Sequence, residues 1–216
     1  MSFQVMMAQL GSGLLRSIEI FALTLLFSLP LGLLVSFGRM SKNRVVRSVV
    51  WIYISIMRGT PLMLQLLAVY FGPFYILGLK LGPMWRFTSI IIAFSVNYAA
   101  YFAEIYRSGI ESMPPGQYEA AQLLGYSKSS TFFRIIFPQV VKRILPSVTN
   151  EVITLVKDTS LAFSLAYAEM FTIAKQIAAK ETSFVPFLAA ALFYYIFNAL
   201  VAFGMERIEK SMDYYT

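Results

Sequence analysis

Long stretches without a charged residue alternate with short polar segments along the whole chain. Segments 20–38, 59–79 and 182–205 contain no Asp, Glu, Lys or Arg, and 87–103 is a shorter segment of the same kind. A helix that crosses a bilayer needs about 20 mostly apolar residues. The pattern predicts an all-α polytopic membrane protein with about five transmembrane helices, near 13–38, 45–78, 85–110, 140–175 and 183–208.

Two of these predicted helices have irregular features. The second should be interrupted at Arg58-Gly59-Thr60-Pro61, because proline cannot continue a helix and glycine loosens it. In the fourth, charge-free runs are short, and without it the chain would have four spans and both ends on one side of the membrane. Outside the spans only the region from about 107 to 143 is longer than a short loop. We therefore expect one transmembrane domain over 1–216, with a cytoplasmic loop at about 112–138.

The formal net charge is +7, and most cations lie in the segments between the apolar spans. This distribution is typical of membrane proteins, which use such cations to set their orientation, and it argues against a nucleic-acid-binding surface. With the N-terminus outside and the C-terminus inside, the inner loops hold more cations than the outer ones, as the positive-inside rule requires. The inner cations are Arg39, Lys42, Arg44, Arg47, Arg107, Lys128, Arg134, Lys142, Arg143, Arg207 and Lys210, and the outer ones are Arg16, Lys80, Arg86, Lys175 and Lys180.

Composition also limits the chemistry that this chain can perform. It has no cysteine and no histidine, so disulfides, thiolate metal sites and the usual general base are excluded. No carboxylate pair lies beside a nucleophile in the sequence. We therefore expect no catalytic residue and no metal site in this chain.

The region after the third helix predicts a pair of short helices. Pro114-Pro115-Gly116 should end the third helix, Glu119 to Leu124 favours a helix that Gly125 ends, and Ser127 or Ser129 can cap the next turn. From these residues alone, a docking loop and an amphipathic helix lying on lipid fit equally well.

The spacing of Glu119-Ala120-Ala121, Gly125, Ile135 and Pro138 resembles the cytoplasmic loop of ABC-importer permeases, with Phe137 where that family usually has leucine. Three further segments resemble signatures of polar amino-acid importers of the histidine/glutamine/arginine type. They are RGTPLMLQL at 58–66, NYAAYFAEIYRSGI at 97–110 and LVKDTSL at 155–161. The likeness covers about 55–170.

This resemblance implies a type I ABC-importer permease fold in a bacterial cytoplasmic membrane. It implies a transport subunit without catalysis of its own, working with two ABC ATPase subunits that bind ATP and Mg. A second permease copy or homologue and an extracellular solute-binding protein would complete the importer. The residues expected to dock on the ATPase are Glu119, Ala120, Ala121 and Gly125.

A stripe of polar residues predicts the substrate pocket. Ser147, Glu151, Thr154 and Asp158 share one face of a helix, and a charge near the bilayer centre costs at least about 2.5 to 3.5 kcal/mol. The stripe should therefore face a water-filled cavity or another subunit. An amino acid needs a carboxylate for its ammonium group, so Glu151 is the first candidate, and the other residues expected in the pocket are Thr154, Asp158, Asn97, Tyr98 and Ser55.

Other interpretations of these charges stay open. Glu151 can instead form a structural ion pair or cap a helix, and Lys157 and Asp158 can pair with neighbouring helices. Arg58 can bind a substrate carboxylate, although satisfying the carbonyls of the broken helix is the favoured role. Glu104 and Arg107 can pair with each other.

Two other classes of protein compete with the importer. An ion-driven secondary transporter would use Glu151 and Asp158 as coupling sites, and a membrane-embedded enzyme or scaffold is the third hypothesis. Neither explains the spacing of the cytoplasmic loop. The sequence leaves open which amino acid is carried and whether the permease is a homodimer or a heterodimer.

Overall fold

The computed structural model describes residues 2–212, and within them every regular element is a helix. The α-helices are α1 (Phe3–Arg39), α2 (Arg44–Gly59), α3 (Leu62–Leu77), α4 (Trp85–Glu111), α5 (Pro115–Leu123), α6 (Lys128–Thr131), α7 (Phe137–Asp158), α8 (Met170–Glu181) and α9 (Val185–Ser211). A π-helical turn, Phe132–Ile136, joins α6 to α7, and a 3-10 helix, Thr159–Leu165, follows α7. The predicted all-α class is confirmed.

Helix α4 lies at the centre of the bundle, packed most closely against α1. Phe94 and Phe102 of α4 are fully buried, together with Ile20 of α1 and Leu155 of α7. The contact with α1 is close because small residues line its buried face: a Cβ at Gly32 would lie 2.8 Å from the Cβ of Phe102. Small residues allow helix backbones to approach in this way within membranes.

Helix α1 begins ten residues before the predicted boundary. Its first turns carry Met6 and Leu10, which are buried against Met170 and Ile177 of α8. At about 1.5 Å per residue the 37-residue helix is about 55 Å long. This is longer than the hydrocarbon core of a bilayer, about 30 Å, and α8 packs on the first turns of the helix.

The length and hydropathy expected of a membrane span are found in α1, α4 and α9, and also in α2 and α3 taken together. The direction of the helix axis bends by 111° between α2 and α3. The break lies where it was predicted, because Thr60 is extended and Pro61 precedes the first residue of α3. Helix α7 is about 33 Å long, enough to cross the hydrocarbon core, although it carries more polar residues.

The predicted continuous helix over 140–175 is wrong. Helix α7 ends at Asp158, and Ala166 lies in the left-handed region with φ 50°. Glu169 then starts α8, because its carboxylate accepts hydrogen bonds from the backbone N–H groups of Phe171 (2.6 Å) and Thr172 (2.7 Å). A helix cap of this kind cannot lie inside a continuous helix.

Helix α8 and the segment that contains α5 and α6 lie at opposite ends of the bundle. Near the start of α1, Arg16 Nη1 donates a hydrogen bond to the carbonyl oxygen of Ala168 at 3.1 Å. At the end of the same helix, Arg39 Nε lies 3.7 Å from Glu104 Oε1, near the end of α4 that leads into α5. The two ends therefore present different surfaces.

Candidate functional site

A polar cavity of about 420 Å³ lies between α4 and α7 and reaches the end of α2. Glu151 and Ser147 of the predicted stripe open into it from α7. The residues that line it are Arg58, Tyr101, Glu104, Ile105, Arg107, Ser108, Gly109, Ser112, Arg143, Ile144, Ser147 and Glu151. Cations and carboxylates thus face one another across a space large enough for a small molecule.

An ion-pair network forms one side of this cavity. Arg107 Nη2 lies 2.7 Å from Glu104 Oε2, which confirms the predicted pair, and Arg39 approaches the other oxygen of Glu104 at 3.7 Å. Arg107 also donates to Glu111. The carboxylate of Glu104 is therefore already engaged by two cations.

The broken helix is held by two amide side chains. Gln65 Nε2 donates to the carbonyl oxygens of Met57 (3.0 Å) and Thr60 (3.2 Å). Asn97 Nδ2 donates to Met57 O at 3.0 Å and to Gln65 Oε1 at 2.9 Å. These amides satisfy the carbonyls that the break frees, so the expectation that Arg58 does so is wrong.

Arg58 instead turns towards the cavity. Its guanidinium carbon lies 5.3 Å from the centroid of the Tyr101 ring, within the range of a cation–π contact. The structure therefore brings Arg58 and Glu151 to one cavity. Tyr101 was not predicted, although it follows Asn97 by four residues and so lies on the same face of α4.

The other predicted pocket residues lie outside the lining of this cavity. Tyr98 is 2% exposed, and its hydroxyl donates to Asp158 Oδ2 at 2.7 Å. Asn97 is buried at the helix break, and Ser55 is exposed on α2. Thr154 is half-buried, about one turn beyond Glu151 on α7. Arg107 and Arg143 line the cavity, but the sequence patterns gave no signal that they would.

Helix α5 ends in the turn that its sequence predicts. Gly125 has φ 82°, and the N–H of Tyr126 bonds to Ala121 O while the N–H of Gly125 bonds to Gln122 O, both at 3.0 Å. This is a Schellman motif, whose left-handed position favours glycine. Ser127 then caps α6, accepting from the N–H of Ser130 at 3.2 Å, as predicted.

The tip of α5 presents an apolar surface that nothing in the described chain covers. Leu123 is 89% exposed and Leu124 is 76% exposed. Of the predicted docking residues, Glu119 and Ala120 are exposed beside them, and Ala121 is buried against the rest of the chain. Exposed apolar patches of this kind mark contact surfaces.

Comparison with protein families gives a match over residues 28–214 to the binding-protein-dependent transport system inner membrane component family. The chain belongs to this family. Its members are the permease subunits of ABC importers, which accords with the predicted class and leaves the ion-driven carrier and the enzyme without support.

Similar proteins include amino-acid permeases. The L-cystine transport system permease protein TcyB of Bacillus subtilis is 38% identical over 95% of this chain and 87% of its own length. A putative glutamine transport system permease protein GlnP of Rickettsia conorii is 39% identical over 93% of this chain and 91% of its own. The arginine transport system permease protein ArtQ of Bacillus subtilis is 33% identical over 93% of this chain and 90% of its own length.

A solved structure shares the fold. The crystal structure of an amino acid ABC transporter with histidines contains a chain that superposes with a TM-score of 0.87, at 29% identity, over 98% of this chain and 99% of that one. This chain thus has the type I ABC-importer permease fold.

Proposed function

We propose that this chain forms the translocation pathway for a polar or charged amino acid in an ATP-driven importer. The observation that carries the proposal is the cavity in which Glu151 and Arg58 meet. An amino acid carries one charge of each sign, and a cavity with both signs can compensate both. The similarity to cystine, glutamine and arginine permeases supports this substrate class.

The charged face of the bundle requires a partner. Arg58 is exposed at the break between α2 and α3, and charged groups in the membrane face a bundle interior or a water-filled cavity. A second copy of this chain, or a homologue, would cover that face and enclose the pathway between the two subunits. The same reasoning places membrane lipid against the apolar faces of α1 and α9.

The exposed tip of α5 is proposed as the contact with the ATPase. Leu123 and Leu124 would enter a groove on one of the two ABC ATPase subunits, the second permease would dock on the other, and Glu119 and Ala120 would flank the leucines. ATP and Mg bind to those subunits and not to this chain. Their closure would move α5, and α7 with it, so that the cavity opens outward to a solute-binding protein that delivers the amino acid.

Glu151 is proposed to bind the ammonium group of the amino acid. It lies in the cavity, and Thr154 follows it on the same face of α7. Asn97, Tyr98 and Asp158 form hydrogen bonds within the chain and would contribute to the pocket by holding its walls. Ser55 lies outside this cavity and would reach substrate only in another conformation.

The test is the ATPase activity of the chain co-purified with its ATPase and reconstituted in lipid, with and without a loaded binding protein. Stimulation by one amino acid is the expected result and names the substrate. If no amino acid stimulates hydrolysis, the proposed substrate class is wrong. If no ATPase co-purifies, the docking role of α5 is wrong.

A second measurement addresses Glu151 directly. We expect Glu151→Gln to weaken binding of the amino acid about tenfold or more, because a charged hydrogen bond is replaced by a neutral one. Glu206→Gln is the matched control, since Glu206 is exposed on α9 and pairs with Lys210 at 2.6 Å. Equal binding by the two variants would assign Glu151 a structural role.

A further inference from the structure

We infer that Arg58 binds the α-carboxylate of the transported amino acid, opposite Glu151. This inference rests on the proposed function and adds to it the recognition of a second charge. The two residues would bind the groups that all α-amino acids share. Side-chain selection would then fall to other residues or to the solute-binding protein.

The helix break does not engage Arg58. The freed carbonyl of Met57 accepts from both Gln65 and Asn97, and that of Thr60 accepts from Gln65. An arginine beside a broken helix often has this task, but here neutral amides perform it. The guanidinium is thus available for another acceptor.

No carboxylate of the described residues forms an ion pair with Arg58. Glu104, on the same cavity, is engaged by Arg107 at 2.7 Å and by Arg39 at 3.7 Å. Asp158 accepts from the Tyr98 hydroxyl at 2.7 Å and lies outside the cavity lining. Glu151 and Glu104 are near enough to attract Arg58 electrostatically, but neither forms an ion pair with it. The N–H donors of Arg58 therefore remain open to the carboxylate of a ligand that enters the cavity.

The guanidinium of Arg58 also has an aromatic neighbour in the cavity. Its carbon lies 5.3 Å from the centroid of the Tyr101 ring, within the range of a cation–π contact. Such a contact acts through the positive charge and does not require the N–H donors, whose planar fork matches the two oxygens of a carboxylate. Tyr101 can thus support the arginine while its donors bind a ligand.

The cavity has the size and charge for the whole zwitterion. Its volume is about 420 Å³, and Arg58, Glu151 and the Ser147 hydroxyl all face it. A ligand whose carboxylate met Arg58 would place its ammonium group towards Glu151, on the opposite element. Neither residue alone would fix this orientation.

The experiment measures binding to the detergent-purified permease–ATPase complex without the solute-binding protein, so that only this pocket selects the ligand. The probes are radiolabelled arginine, glutamine and cystine, each competed by its own α-carboxamide at mildly acidic pH, which keeps the amino group protonated. We expect the wild-type complex to prefer the free acid to the amide by about tenfold to a hundredfold, as for one charged hydrogen-bonded contact.

In the Arg58→Gln variant this preference should fall to near unity, and in Arg58→Lys it should be intermediate. Arg207→Gln should keep it, because Arg207 also lies over an aromatic ring, Phe203 at 5.0 Å, but does not line the cavity. If Arg58→Gln weakens the acid and the amide equally, Arg58 has a structural role. Binding of any probe to the wild-type complex would uphold the proposed function in either case.

A measurement on the wild-type complex covers the case in which Arg58→Gln does not assemble. Phenylglyoxal modifies accessible arginines, and mass spectrometry locates the modified peptides. We expect the bound amino acid, but not its amide, to slow modification of Arg58 while Arg207 reacts at an unchanged rate. Equal reaction of Arg58 with and without the amino acid would overturn the inference.

Discussion

The side-chain amides of Gln117 and Gln139 exchange two hydrogen bonds, of 2.9 and 3.0 Å, between α5 and the first turn of α7. Gln139 Nε2 also donates to the carbonyl oxygen of Ile135 at 2.7 Å. Helix α5 is thus tied to the helix that carries Glu151, about 18 Å further along its axis. A displacement of α5 would be passed to the cavity through this contact.

Loss of this tie should reduce coupling without reducing hydrolysis. We expect Gln117→Ala to lower the number of amino acids transported per ATP in proteoliposomes, because α5 can then move without α7. Gln122→Ala is the control, since Gln122 is exposed on the same helix. The double variant Gln117→Ala/Gln139→Ala should transport about as many amino acids per ATP as each single variant, because the two residues are partners in one contact. Equal coupling in Gln117→Ala and Gln122→Ala would contradict the role of the pair.

The turn at Gly125 should be sensitive to any side chain. A Cβ there would meet nothing within 4 Å, yet φ is +82°, so alanine would cost about 1–2 kcal/mol through backbone strain alone. We expect Gly125→Ala to weaken association with the ATPase subunit in a pull-down titration. Gly116→Ala is the control, because its Cβ also meets nothing and its φ is not positive. Identical affinities of the two variants would show that the turn does not position the docking surface.

Close packing of α4 on α7 predicts a stability defect at Gly109. A Cβ at this position would clash with Cγ2 of Ile144 and approach Cγ1 of Val140 at 3.2 Å. We expect Gly109→Ala to destabilise the protein by about 1–3 kcal/mol, as overpacking does, with a lower midpoint of thermal unfolding.

The effect at Gly109 can be separated from that of glycine replacement in general. Gly204 lies in α9, and a Cβ there meets nothing within 4 Å, so Gly204→Ala should be neutral or stabilising. Adding Ile144→Ala to Gly109→Ala should restore part of the lost stability, because it removes the clashing methyl group. A double variant less stable than Gly109→Ala would refute this explanation.

The hydrogen bond between Tyr98 and Asp158 should contribute to stability. Tyr98→Phe would leave Asp158 without the donor that now lies 2.7 Å away, at a cost of about 1–3 kcal/mol for a partly buried charged acceptor. The measurement is the midpoint of thermal unfolding, with Tyr195→Phe as control because Tyr195 is 73% exposed. A more than tenfold loss of amino-acid binding at an unchanged midpoint would instead make Tyr98 a substrate contact.

Local features of the sequence were sufficient for much of the fold. The break near Pro61 and the turn at Gly125 were predicted, and Ser127 was one of the two serines predicted to cap α6. Each feature depends on the conformational limits of residues close in the chain. The charge-free segments likewise predicted the spans, since the cost of a charge in the membrane is a property of composition. The family motifs predicted the fold and class that the comparisons support.

Tertiary contacts determined some helix boundaries and the partners of the polar side chains, which the sequence did not predict. The start of α8 follows from the cap at Glu169, whose carboxylate also accepts from the Tyr194 hydroxyl of α9. The early start of α1 follows from packing on α8. Likewise, the Met57 carbonyl at the break accepts from Gln65 and from Asn97 of another helix, and not from Arg58. Periodicity shows which face of a helix is polar, but the partner of each polar atom depends on the helix packed against it. The sequence determined the helices and their class; the packing of α2, α4 and α7 decided which charges face the cavity.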